Sequence, residues 1–325
     1  MRFTLMLSFI FSFSTLWGEV GAIKLITPIP STIYHEETAS VVVTFVSPLI
    51  DGVIISAESN QSSKIIRQKE RNSYCKTVQL APGENKITVS GFGKDGTIEN
   101  ISVLIFHDIV SEKIYKYPPE KYMEESFHTP TNERFCSSCH KMEVNEIPKI
   151  AFENPADSNC FQCHQKLTTR KYGHAPAINW LCTSCHEIKK ELGDSKFTLP
   201  SMIGKTCLKC HDKESQKWET KRFHHMPVDS EKCTRCHNPH SSENKFYLKA
   251  KPWDICTSCH IDKREGKHVI NTFGNKNHPT RDKPDPSRPG KEIECISCHN
   301  PHASDSASLI DAKSPMSICI KCHKK

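Results

Sequence analysis

His225-Met-Pro227, Cys233-Thr-Arg-Cys236-His237-Asn-Pro-His240 and Cys256-Thr-Ser-Cys259-His260 follow one another within residues 225–260. The word Cys-x-x-Cys-His occurs twice in that stretch and recurs in the chain at Cys136–His140, Cys160–His164, Cys182–His186, Cys207–His211, Cys295–His299 and Cys319–His323. Two residues between the cysteines let both thiols reach the two vinyl groups of one porphyrin, and the His after the second Cys then falls beneath the iron. Zinc ribbons and redox dithiols also use Cys-x-x-Cys, but neither requires His at the next position. A disulfide framework would not dictate it either. Of the 17 cysteines only Cys75 lies outside these words.

The expectation is therefore eight covalent haem c groups. Their thioethers would form through Cys136, Cys139, Cys160, Cys163, Cys182, Cys185, Cys207, Cys210, Cys233, Cys236, Cys256, Cys259, Cys295, Cys298, Cys319 and Cys322. His140, His164, His186, His211, His237, His260, His299 and His323 would be the proximal iron ligands.

From residue 127 onward eight histidines lie outside the words: His128, His174, His224, His225, His240, His268, His278 and His302. An iron closed by two imidazoles exchanges electrons, whereas one with an open sixth position can react. Eight irons and eight spare histidines match in number, so these residues are the candidate distal ligands. A lone spare His would ordinarily be a surface residue, and Met142, Met226 or Met316 are alternative ligands that would raise a haem's potential.

The spare histidines also fall into a frame. His128-Thr-Pro, His174-Ala-Pro, His225-Met-Pro and His278-Pro each open a segment holding two words, and the third and fourth segments continue the first word as Cys-His-Asn-Pro-His. Four tandem two-haem units are expected, the first two diverged. This order resembles the doubled C-x-x-C-H family of multihaem cytochromes over residues 128–325. The resemblance implies bis-His haems in close pairs and a role in respiratory or extracellular electron transfer. Cys182-Thr-Ser-Cys-His continues as Glu187-Ile188 and Cys136-Ser-Ser-Cys-His as Lys141-Met142, so both lack the Pro-His continuation. His224 and His268 are the candidates to serve those two units.

Residues 23–110 read differently. β-branched runs at Ile23–Thr27, Ser40–Val46, Val53–Ala57, Lys64–Arg67, Cys75–Leu80, Lys86–Gly91 and Ile101–Phe106 alternate with the turn signals Asp51-Gly52, Pro82-Gly83 and Asp95-Gly96. About seven strands in this length predict a small antiparallel sandwich. The stretch Leu80–Gly91 with the following Asp95-Gly96 resembles bacterial immunoglobulin-like domains, which space, dock or bind. Cys75 is expected to be a small buried strand residue, the alternative being a reactive thiol. His35 and His107 are expected at the surface or at strand ends. Residues 111–127, with Pro118-Pro119 at their centre, predict a stiff linker. The fold class is thus an all-β immunoglobulin-like sandwich followed by a haem-organised, mostly irregular cytochrome c domain at 128–325. Short helices are expected there at Glu187–Leu192 and Asp212–Lys221, with a long proline-rich loop at Gly274–Gly290.

The first 22 residues carry a lone Arg2, an apolar run and a small-residue end, as a secretory signal peptide does, an uncleaved anchor being the alternative. The expected location is periplasmic or extracellular. The formal charge of +7 would suggest nucleic acid, but eight haems bring propionates worth about −16 and turn the balance to about −9. Nucleic acid is therefore excluded as a partner. The expected partners are other redox proteins: cytochromes, quinol-oxidising complexes or outer-membrane complexes. A homo-oligomer or filament, with a His of one chain ligating a haem of the next, is compatible with the same sequence. The competing reading is an oxidoreductase reducing a nitrogen or sulfur oxyanion at one haem.

Overall fold

A computed structural model describes residues 21–57, 61–108, 118–124, 127–137, 140–142, 152–188, 197–198, 203–264, 268 and 278–323. The signal segment 1–20, Cys139 and the first half of the expected linker lie outside the described residues.

Alternation of apolar and polar residues builds the N-terminal region. In β3 (Thr38–Phe45) Ala39, Val41, Val43 and Phe45 are buried, and in β7 (Gly83–Gly93) Ile87 and Val89 are fully buried. Successive side chains of a strand point to opposite faces, so this period-two pattern gives each strand one core face. The strands β1 (Ile23–Thr27), β3 and β6 (Ser73–Gln79) form one sheet, ordered β1-β3-β6. The second sheet is ordered β2-β8-β7-β4-β5, with β2 at Ile33–Tyr34, β4 at Gly52–Ala57, β5 at Gln61–Ile66 and β8 at Gly96–His107. Side chains from both sheets meet in one apolar core, from Ile23, Val41 and Val78 on one side to Ile55, Ile87 and Ile105 on the other. Gly96 opens β8 at φ +113°, a backbone state that a side chain would strain, and so turns β7 back on itself.

All seven expected strands are present; β2 is additional and runs parallel to the end of β8. One side-chain expectation fails. Cys75 is exposed, because its neighbour Tyr74 takes the core position and packs on Phe45 at 5.0 Å, which turns Cys75 outward. His107 stands at a strand end, as the last residue of β8, and is buried there with Nδ1 donating to the Ala81 carbonyl at 3.2 Å.

The second half of the expected linker is docked. Met123 O accepts from Ile33 N and Met123 N donates to Ser31 O, each at 2.9 Å, the Tyr122 hydroxyl donates to Glu84 at 2.5 Å, and its ring lies 5.4 Å from Phe106. Beyond it, two eight-residue helices stand out among short turns: Asp212–Glu219 and Pro252–Cys259. Each begins as helices favour, with Asp212 and Glu214 in one first turn and Pro252 opening the other. The helix expected at Glu187–Leu192 is not formed where it is described: Glu187–Ile188 is extended and pairs with Phe197–Thr198. The described part of the proline-rich loop is ordered around buried Asp285, which accepts from Ser287 N at 2.9 Å and Arg288 Nε at 2.7 Å. Among the described residues no helix is long and apolar enough to cross a membrane.

Candidate haem-binding sites

Each Cys-x-x-Cys-His word is one helical turn. In all eight the His backbone N–H donates to the carbonyl of the first Cys, at 2.8–3.1 Å. Residues four apart on a helix share a face, so the first thiol and the imidazole are presented to the same side. That is what attaching a porphyrin and reaching its iron together require.

The imidazoles then meet in pairs. His128 stands against His164 with ring centroids 6.0 Å apart, His174 against His211 at 6.2 Å, and His240 against His186 at 6.1 Å. His225 faces His260 at 6.2 Å and His302 faces His237 at 6.1 Å. His268 faces His299 at 5.9 Å and His278 faces His323 at 6.3 Å. An imidazole nitrogen sits roughly 2 Å from a first-row metal, with its ring centre roughly 1 Å further out, so two imidazoles flanking one ion have centroids about 6 Å apart. The seven spacings fit a shared iron, and every pair joins one word His to one spare His.

Hydrogen bonds fix the other ring nitrogen. Nδ1 of His237 and of His299 donates to the carbonyls of Phe246 and Ser308, each at 2.7 Å. Nδ1 of His174 donates to Pro239 O at 2.8 Å and Nδ1 of His225 to Pro301 O at 3.0 Å. With Nδ1 protonated, Nε2 keeps its lone pair for the metal. Burial lowers His164, His240 and His302 to about 4, so these rings are neutral, the form that ligates.

The pairing follows a rule. The His that opens a unit (His128, His174, His225, His278) faces the second word of the same unit. The first word of the second and third units is faced by the His of the Asn-Pro-His continuation in the next unit, His240 and His302. Short strands enforce this. Tyr172–Gly173 pairs with Ser241–Ser242 and His174 N donates to His240 O; Phe223–His224 pairs with Ala303–Ser304 and His225 N donates to His302 O. Asn238 and Asn300 accept from the backbone N–H of His240 and His302 at 2.9 and 3.1 Å, shaping the turn that presents each ring. Sequence reasoning missed these asparagines and the Phe246 and Ser308 carbonyls. Their signal was their recurrence at matching places after Cys233 and Cys295.

One expected ligand departs. His224 faces no word histidine: Nδ1 pairs with Asp229 at 2.9 Å and Nε2 with the Lys221 carbonyl at 2.8 Å. His268 meets His299 of the fourth unit rather than a word histidine of the first two.

Consecutive words also touch. Gln162, inside the second word, accepts from His140 Nδ1 at 2.9 Å. The first-cysteine thiols lie near enough to shift one another's ionisation between the second and third words (Cys160 and Cys182), the fourth and fifth (Cys207 and Cys233), and the sixth and seventh (Cys256 and Cys295). At the remaining joints burial and, after it, the neighbouring thiol's charge raise Cys185 (from Cys210), Cys236 (from Cys259) and Cys298 (from Cys322). Consecutive words are thus near neighbours in chain order.

The family model described as the doubled CXXCH motif matches residues 128–169, 225–265 and 288–325. The chain is 32% identical over 215 residues to the multiheme cytochrome MtrA of Shewanella baltica, a match covering 63% of this chain and 56% of that protein. The chain therefore spans just over half the length of this relative. Among solved structures, an engineered protein aligns with 26% of the chain at TM-score 0.23 and 8% identity, covering 19% of its own chain. The fibronectin(III)-like modules of Clostridium thermocellum CbhA align with 26% at TM-score 0.20 and 19% identity, covering 94% of theirs. At such scores neither likeness carries an argument about fold.

Proposed function

We infer that this multihaem c-type cytochrome conducts electrons along a row of eight covalently attached haems, one at each Cys-x-x-Cys-His word. When bound, haem c supplies a one-electron iron couple. The observation that carries the reading is the set of seven imidazole pairs at 5.9–6.3 Å. Two imidazoles close both faces of an iron and leave no place for a substrate, which favours conduction over oxyanion reduction. Histidine in place of methionine keeps the potentials low. Contact between consecutive words brings neighbouring porphyrins together, so the chain's part is to ligate, space and shield. The similarity to a multiheme cytochrome supports redox proteins as partners and a site of action outside the cytoplasm, in keeping with the signal-like N-terminus. The β-region, read as an immunoglobulin-like sandwich, is the support on which the row is mounted.

The test is intact mass together with the reductive titration of the purified holoprotein. Eight haem additions and eight electrons taken up at low potential are expected. Fewer than eight haems, or steady turnover of an oxyanion, overturns the reading.

A further inference from the structure

Two turns behind the fifth and seventh words share an unfavourable backbone state. Phe246 and Tyr247 stand at φ +58° and +56°, and Ser308 and Leu309 both at +56°. This left-handed region brings Cβ too near the following carbonyl, and only Gly, Asn and Asp visit it readily. Neither turn contains any of the three. Nor does burial of a side chain hold the first residue of each turn there, since Phe246 is 70% exposed and Ser308 is exposed as well. A strained backbone that recurs at matching places in two units, without serving those side chains, points to a use for its carbonyls.

The carbonyls face the words. Phe246 O and Ser308 O accept from Nδ1 of His237 and of His299, each at 2.7 Å. Tyr247 O accepts from Asn238 N at 2.7 Å and Leu309 O from Asn300 N at 2.8 Å. Just beyond, Lys249 N and Asp311 N donate to Cys236 O and Cys298 O at 2.9 and 2.8 Å, tying each turn to the second cysteine of its word. The left-handed pair thus delivers two consecutive carbonyls to one word, the first to its imidazole and the second to the backbone that follows.

We propose that Phe246-Tyr247 and Ser308-Leu309 are positioning residues of the fifth and seventh haem centres, whose left-handed backbone fixes the proximal imidazoles and holds the potentials of both haems down. The proposal rests on the reading that these two words carry haem. A carbonyl accepting from Nδ1–H draws that proton outward and makes Nε2 a stronger donor. A stronger donor favours ferric over ferrous iron, so the hydrogen bond lowers the potential. It also fixes the plane of the proximal ring.

Potentiometric titration of the holoprotein followed by electron paramagnetic resonance tests it, with haem counted by mass on each sample. Ile resists the left-handed state, whereas Gly and Asn enter it readily. Phe246→Ile and Ser308→Ile should therefore each keep eight haems, shift the low-spin signal of one of them and raise its potential. The expected rise changes the reduced-to-oxidised ratio of that haem about tenfold at a fixed applied potential, about 59 mV for one electron. Phe246→Gly and Ser308→Asn should keep the original signals and potentials. Where an Ile variant fails to mature, Phe246→Ala or Ser308→Ala, which opposes the left-handed state more mildly, carries the comparison. Unchanged signals and potentials in variants that resist the left-handed state overturn the proposal. Equal shifts in the Gly and Asn variants also overturn it, because they trace the effect to the lost side chain. Fewer than eight haems in the unaltered protein points instead to failure of the underlying reading.

Discussion

In residues 21–107 sixteen buried side chains, fourteen of them on the strands of the two sheets, pack into one core. In residues 127–323 the buried apolar side chains among those described are Trp180, Ala250, Ala303 and Ile318, too few and too scattered to hold a chain of that length together. The first region burns its conformational entropy against its own hydrophobic surface; the second depends on surface it does not encode and receives with its cofactors. One polypeptide therefore contains a part that folds by itself and a part that folds by being filled.

Withholding haem, by expression without attachment machinery, breaks the comparison most strongly. Residues 128–325 should lose their fold and be cleared by limited proteolysis, while a protected fragment of the β-region survives; survival of both would remove the contrast. A core truncation acts on the other side. Ile87→Ala, at a fully buried position of β7, should cost about 2–5 kcal/mol of β-region stability in denaturant titration and leave the haem spectrum unaltered. A smaller, local effect is expected from His302→Ala, which removes the ring facing His237 and stacked on Trp218 at 4.5 Å. One haem should become high-spin and bind carbon monoxide, with the total haem count preserved.

The smallest effect lies where the two regions meet, at Arg170 beside Glu37 (3.4 Å) and Glu36 (3.9 Å). Burial raises the Glu36 carboxyl from 4.5 to about 7, against the pull of Arg170. Between those values the folded protein holds a proton that the unfolded chain has released, so stability falls as pH rises through this window and levels off above it. Melting temperatures of Glu36→Gln should lack that part of the slope. Arg170→Ala should lower stability by about 1 kcal/mol or less and move the Glu36 transition to higher pH.

The β-region was largely legible because period-two alternation and Gly-marked turns are local signals. What escaped was β2, a two-residue strand fixed by its parallel neighbour β8 rather than by its own composition. Cys75 escaped because burial depends on which face a residue takes, and Tyr74 claimed the inner one. The sixteen cysteines and eight histidines of the Cys-x-x-Cys-His words could be picked out because their spacing is written in five consecutive residues. Their partners were harder. Eight spare histidines for eight irons suggested a complete match, yet His224 and His225 are adjacent in extended chain and so point to opposite sides. Only His225 can face inward with the unit, and sequence does not show which of the two it is. The crossing of ligands between units is likewise a property of the strand pairs at Tyr172–Gly173 and Phe223–His224, whose partners lie far along the chain.

That crossing has a consequence in time. A polypeptide is made from its amino terminus, and His186 and His237 are faced by rings, His240 and His302, that belong to units not yet synthesised when their own cysteines are ready. On the proposed haem reading each of these centres would pass through a stage with a single axial imidazole, and each would close only when the following unit arrives. Loss of the last unit would leave His237 in that immature stage for good, so a truncation behind one centre is felt at the centre before it.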